Sequence, residues 1–332
     1  MNNNSLSSNK KETNAVLQVL AFLILTSIVS EIIIWPTNGL LSYFLPLAQE
    51  ESYTSNLFWV IKQFGFRLTS LITVILVSIT CIYLFTNRSI KSLGFSLHSS
   101  FLKDYFLGCL ISFAMVSLIA LLQLLVGGTS YTLALTKPEF SLLGMSLMLL
   151  MMFVAALFEE IMFRGYPLQV MSDQLSPVSA IFVMSGLFAI VHLGNPNPTF
   201  FSTVNTVLAG VWLSIAYFKT RSLWLATGLH LGWNFTLGAI YGLSVSGITE
   251  LSKYSFLSSQ DLGKTWLTGG SYGPEGGLIA TIILLLGCYL LFKTSYLKIS
   301  PEMQKFFPDN SQEITEIKDK NNLNIVNKNI AS

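Results

Sequence analysis

Residues 141–166 read SLLGMSLMLLMMFVAALFEEIMFRGY. From Ser141 to Phe158 there is no charged side chain, and the run is about as long as a helix needs to cross a bilayer core, roughly 17–25 residues. It then meets Glu159, Glu160 and Arg164 with no polar interval. A charge inside a spanning segment costs roughly 2.5–3.5 kcal/mol on insertion scales, so it is kept there for a reason. One stretch therefore points to lipid as the solvent and marks where chemistry is to be sought.

The rest of the chain agrees. Of 332 residues, 52% are hydrophobic and 11% charged, with a mean hydropathy of +0.60. An ordinary soluble domain carries about 25% charged residues, and a chain this poor in charge cannot cover a water-facing surface. A soluble globular protein, a disordered chain and a disulfide scaffold are excluded. The net charge of +2 does not suggest a nucleic-acid partner. Cys81, Cys109 and Cys288 sit singly in apolar runs, without metal-site spacing.

Apolar runs near 15–35, 68–86, 105–126, 141–158, 178–193, 200–217, 223–243 and 277–292 predict an all-α, polytopic transmembrane helix bundle of about eight spans. The first follows Lys10 and Lys11 as a signal peptide would, but it is long enough to span and no small-residue cleavage site follows; it reads as an uncleaved anchor. Lipidation signals are absent, since Met1 is not followed by glycine and the C-terminus has no cysteine. The domain plan is a polar tail at 1–14, a transmembrane domain at 15–299 and a polar tail at 300–332. Eight spans with a cytoplasmic N-terminus put 13 Lys/Arg inside and five (Lys62, Arg67, Lys137, Lys253, Lys264) outside, with Arg164 set aside. The positive-inside rule then predicts a multi-pass integral membrane protein with both termini cytoplasmic. The loop at 244–275 is the largest late loop on the outside.

Three polar clusters interrupt the apolar runs. In the first, residues four apart share a helix face and adjacent residues diverge by about 100°. Glu160 and Arg164 are therefore an i,i+4 pair, and Glu159 points elsewhere, free for chemistry. A single structural salt-bridge cluster of all three is the alternative. The second cluster is Phe188-Ala189-Ile190-Val191-His192, which places a ring beside an imidazole; an interfacial histidine is the bland reading. The third is His230-Leu231-Gly232-Trp233-Asn234, with two hydrogen-bonding side chains on one face; an interhelical glue pair is its alternative. Together they supply a carboxylate, two imidazoles and an amide, the parts for activating water and holding an oxyanion. No nucleophile elbow, phosphate-binding loop or HExxH helix is present.

Glu159-Glu160-x-x-x-Arg164, Phe188-x-x-x-His192 and His230-x-x-x-Asn234, in that order, resemble the CPBP family. This is the CAAX-protease and bacteriocin-processing (ABI) group of membrane proteins, whose eukaryotic member is the type II CAAX prenyl endopeptidase. The resemblance covers about 140–247, with Phe163-Arg164-Gly165-Tyr166, Ser222-Leu223-Trp224 and Gly228-Leu229-His230 also similar. It implies an intramembrane endopeptidase acting on a membrane-associated peptide or protein in the lipid bilayer. By the same resemblance Glu159 and His192 activate water, and His230 and Asn234 form the oxyanion hole. Glu160, Arg164 and Phe188 lend structural support. No cofactor is the preferred expectation, with zinc held by Glu159, His192 and His230 as the alternative. Other expectations are a non-proteolytic member acting in bacteriocin self-immunity or as a membrane scaffold, and, from another class, a proton-linked carrier.

Overall fold

The computed structural model describes residues 14–44, 53–86, 88–135 and 141–306. Residues 1–13, nearly all of the N-terminal tail, lie outside these, as do Lys137 and the C-terminal tail beyond Phe306. The architecture is all-α. In chain order come α1 (Ala15–Phe44), α2 (Tyr53–Phe85), α3 (Phe101–Leu125), α4 (Leu142–Arg164), α5 (Tyr166–Gln174), α6 (Pro177–His192), α7 (Phe200–Thr220), α8 (Leu223–Phe235), a short α9 (Thr265–Thr268) and α10 (Leu278–Lys293). Each of the eight expected segments falls on a helix. By length and composition, five are sufficient to cross a membrane: Ala15–Thr37, Leu57–Phe85, Phe101–Leu125, Leu142–Gln174 and Phe200–Thr220. The helices α6 and α10 are apolar but shorter, at 16 residues each. The 13 residues of α8 are carried on to Ile240 by a π-helical turn.

The second segment differs from expectation. Lys62 and Arg67 were counted outside, at the end of a span near 68–86, but α2 starts at Tyr53 and carries both inside the helix. Flanking apolar side chains at Leu57, Trp59, Phe64 and Phe66 keep the segment apolar through them. Two of the five charges counted on the outside thus belong to a spanning segment.

Polar caps set the helix ends. Ser141 accepts the Gly144 N–H, Ser176 accepts the Ser179 N–H ahead of Pro177, and Thr199 and Ser202 form a reciprocal capping box. Each supplies a partner to backbone N–H groups that a helix start leaves open. Large apolar side chains such as Leu102, Phe106 and Leu110 on α3 and Phe182 and Ile190 on α6 face outward. That surface suits hydrocarbon and would be untenable in water.

Helix α8 is the buried axis, and glycine brings it there. A Cβ on Gly228 would stand 2.1 Å from the Tyr105 carbonyl oxygen, and one on Gly232 2.7 Å from the Cys109 Cα. From the other side, a Cβ on Gly108 would stand 2.6 Å from the Leu225 carbonyl oxygen. Small residues four apart let membrane helices approach to backbone contact. Ser112 seals the seam by donating to the Leu229 carbonyl at 2.5 Å. Two residues along a helix turn it by about 200°, so His230 and Asn234 face away from α3.

A small two-stranded sheet, unforeseen in the sequence, pairs β1 (Thr129–Leu133) with β2 (Leu257–Asp261) in antiparallel register, Thr129 opposite Asp261. It ties the segment after α3 to the 244–275 connection, which is therefore a structured cap with α9 and several short turns. Because rigid backbone opposes Gly228, Gly228→Val is expected to abolish the folded form in detergent. The same change at Gly186, where a Cβ meets nothing within 4 Å, should leave folding intact. Size-exclusion profiles of the two variants check this.

Candidate active site

The three polar clusters meet in one place. Helix α4 delivers Glu159, Glu160 and Arg164, the end of α6 delivers Phe188 and His192, and α8 delivers His230 and Asn234. The helix ends at Arg164 because Gly165 leaves helical geometry, and a Cβ there would stand 2.5 Å from the Ile161 carbonyl oxygen.

Glu160 is fully buried, and its Oε1 is the hub. It accepts from Arg164 Nη1 at 3.1 Å and from His230 Nδ1 at 2.8 Å. Arg164 donates a second bond, from Nη2 to the Gly210 carbonyl at 3.2 Å, which ties α4 to α7. Its guanidinium also lies 4.5 Å from the Phe188 ring centroid. A second neighbour of that ring is the His192 imidazole, at 4.3 Å. Phe188 thus contacts both a cation and an imidazole.

Glu159 faces the other way. About a fifth of its side chain is accessible, whereas that of Glu160 is not. Its Oε2 lies 3.8 Å from His192 Nε2 and 3.7 Å from His230 Nε2. These gaps are too long for direct hydrogen bonds and suit a bridging small molecule. Glu159 Oε2 has no hydrogen-bond partner among the described residues.

The tautomers follow from the partners. His192 Nδ1–H donates to the Phe188 carbonyl at 2.8 Å, so in the neutral ring Nε2 carries a lone pair toward Glu159. His230 Nδ1–H donates to a carboxylate, so its Nε2 becomes a donor only when the ring holds both protons. Asn234 lines the same cavity one turn beyond His230.

That cavity, about 340 Å³, is mostly apolar, with Glu159, His192, His230 and Asn234 on its wall. The cap closes part of it through Glu275, Ser246 and Ile248. Glu275 accepts from Trp233 Nε1 at 3.0 Å, from Ser246 Oγ at 3.1 Å and from the Ser246 N–H. Burial pushes its carboxyl above the usual range, opposed by those donors and by His192. Asn205 on α7 anchors the same corner, donating to the carbonyls of Glu275 at 2.8 Å and Gly277 at 3.0 Å. Sequence reasoning missed Glu275, although a carboxylate in Gly-Gly-Ser-Tyr-Gly-Pro-Glu-Gly-Gly just ahead of an apolar run was a usable signal.

For a metal, the donor set is Glu159, His192 and His230. Tetrahedral zinc with bonds of roughly 2.0–2.1 Å brings its ligand atoms to about 3.3–3.4 Å of one another. The observed 3.7 and 3.8 Å are wider, and among the described residues no group of three His, Cys, Asp or Glu is arranged to hold an ion.

Residues 141–236 match the sequence model of the type II CAAX prenyl endopeptidase Rce1-like family. The matched segment is thus similar to CAAX-type intramembrane proteases, and it lies in a chain with five helices long and apolar enough to cross a membrane. The match spans just under a third of the chain and includes Glu159, Glu160, Arg164, Phe188, His192, His230 and Asn234; Arg67 and Glu275 fall outside it. No curated protein matches the chain.

Replacing Glu160 by Gln would leave a buried guanidinium without its anion. Breaking a buried pair in this way costs roughly 3–5 kcal/mol. Glu160→Gln should therefore lower the thermal midpoint in detergent strongly, while Glu159→Gln leaves it nearly unchanged. Thermal unfolding of both variants is the check.

Proposed function

We propose that the chain is an endopeptidase that hydrolyses a peptide bond of a membrane-associated substrate with water activated by Glu159 and His192. The observation that carries this reading is that Glu159 Oε2 faces the Nε2 atoms of His192 and His230 across 3.8 and 3.7 Å on the wall of one cavity. The family match supports the reaction class.

A water held between Glu159 Oε2 and His192 Nε2 meets two acceptors. It donates both protons to them, which turns its lone pair outward toward an incoming carbonyl carbon. Attack breaks the carbonyl π bond and leaves an oxyanion. Glu159 takes the proton shed by the water and returns it to the departing amine nitrogen. Collapse of the intermediate then breaks the C–N bond and releases an amine and a carboxylic acid, whose proton passes to the amine to leave a carboxylate and an ammonium.

His230 and Asn234 are the proposed oxyanion donors. For Nε2 of His230 to donate, the ring must carry both protons, and Glu160 accepts the Nδ1–H that helps hold this charge. Counting Glu159, Glu160, Arg164 and a doubly protonated His230, the cluster is neutral, which favours it in apolar surroundings. Glu160, Arg164 and Phe188 keep the rings in place without touching substrate.

Glu159→Gln should abolish cleavage of a membrane-anchored reporter peptide. Asn234→Ala should lower kcat by roughly 10²–10³-fold with little change in KM. Wild-type turnover should survive exhaustive chelation. Loss of turnover on chelation and its return with added zinc would move Glu159, His192 and His230 into the role of metal ligands.

A further inference from the structure

Glu275 is a buried carboxylate for which the chemistry above has no use. It lies in the cap, outside the family-matched segment, and none of the ion pairs among the described residues includes it. Burying a charge without a counter-charge is costly unless hydrogen bonds replace its water. Here three do, with Oε1 accepting from Trp233 Nε1 and Oε2 from the Ser246 N–H and Oγ. The backbone beneath is held as firmly. Asn205 donates to the carbonyls of Glu275 and Gly277 and accepts from Thr281 Oγ1 of α10 at 2.7 Å. A Cβ on Gly273, whose φ is +90°, would stand 2.2 Å from the Ser244 carbonyl oxygen, so the strap that carries Glu275 lies backbone to backbone on the rest of the cap. Glu275 is thus a fixed point presented to one side chain of α8.

The residue after that side chain is Asn234. Its amide lines the cavity but makes no hydrogen bond among the described residues. The α-helix stops one residue beyond it, and a π-helical turn follows, with the Tyr241 N–H reaching back five residues to the Thr236 carbonyl at 3.1 Å. Widened turns of this kind recur at functional sites. Rotation of this end of α8 would carry Trp233 and Asn234 together. Trp233 resists it, because its ring meets the Trp212 ring of α7 edge-on at 5.9 Å and its N–H is tied to Glu275.

We propose that Glu275 is a positioning residue for Asn234, acting through Trp233, so that closure of the cap sets the oxyanion donor in place. This rests on the reading of Asn234 given above. A carboxylate suits the task because both of its oxygens accept, one from α8 and one from the cap, where an amide offers a single acceptor. The rival role is electrostatic, since His192 is near enough for its charge to act on Glu275.

A double-mutant cycle on the full-length chain in nanodiscs separates the two. Misplacing a group by about 1 Å can cost 10²-fold in rate, so Glu275→Ala should lower kcat by roughly ten- to a hundredfold with little change in KM. Trp233→Phe keeps a ring against Trp212 and removes only the N–H, and it should do the same. In an Asn234→Ala background neither change should lower kcat further. An equal loss from Glu275→Ala with and without Asn234, or full kcat in Trp233→Phe, overturns the proposal. A second readout needs no turnover. In Asn234→Cys protein, methyl methanethiosulfonate labelling at position 234 is followed by peptide mass spectrometry, with Ala155→Cys on the α4 wall of the same cavity as reference. Glu275→Ala and Trp233→Phe should each change the rate at 234 several-fold and leave that at 155 unmoved. Rates that change alike at both positions mean that the cap has merely opened, and rates that change at neither mean that Asn234 has not moved; both overturn the proposal. A selective change at 234 in a chain that cleaves no peptide would refute the endopeptidase reading and leave the positioning standing. Peptide cleavage with no selective change at 234 would do the reverse.

Discussion

The site depends on one carboxylate oxygen, Glu160 Oε1, which accepts from a guanidinium and an imidazole at once. The two donors come from helices distant in sequence, with His230 70 residues beyond Glu160. Buried without its partners, each of these groups would carry the several kcal/mol that desolvating a charge costs. Paired, they fix α4 against α8, and Arg164 extends the tie to the α7 backbone. Phe188 contacts both Arg164 and His192, so the second imidazole is also packed against a neighbour of the hub.

Helix packing makes this pairing possible. Gly228 and Gly232 draw α8 onto α3, and the half-turn from them to His230 and Asn234 aims the functional pair at α4. Support for the backbone and chemistry for the site thus alternate along one helix. The cap behaves likewise: Glu275 links Trp233 of α8 to Ser246, and Asn205 links α7 to the start of α10. Glu159 is partly accessible on the cavity wall, while Glu160 is fully buried.

Local periodicity made much of this legible before any coordinates. The i,i+4 rule set Glu160 with Arg164 and turned Glu159 away, and it set Phe188 beside His192; these are the contacts observed. The eight apolar segments were legible for the same reason, since lipid leaves a strong compositional mark. What escaped were contacts that no local pattern encodes. The bond from His230 to Glu160 joins residues that only the packing of α4 against α8 brings together, so His230 was read as an oxyanion donor and not also as the partner of Glu160. Arg67 was counted outside at the end of a span, although the helix begins at Tyr53 and runs through it. The pairing of β1 with β2 joins short polar strands with no apolar alternation to announce them.

The central claim is that adjacent glutamates divide the work, one as an accessible base and the other as a buried support. Chemical rescue tests this most directly, because a small carboxylate can replace a side chain only where the cavity admits it. Formate added to Glu159→Ala should restore measurable peptide hydrolysis, and added to Glu160→Ala it should restore none. Restoration of Glu160→Ala in place of Glu159→Ala would contradict the account.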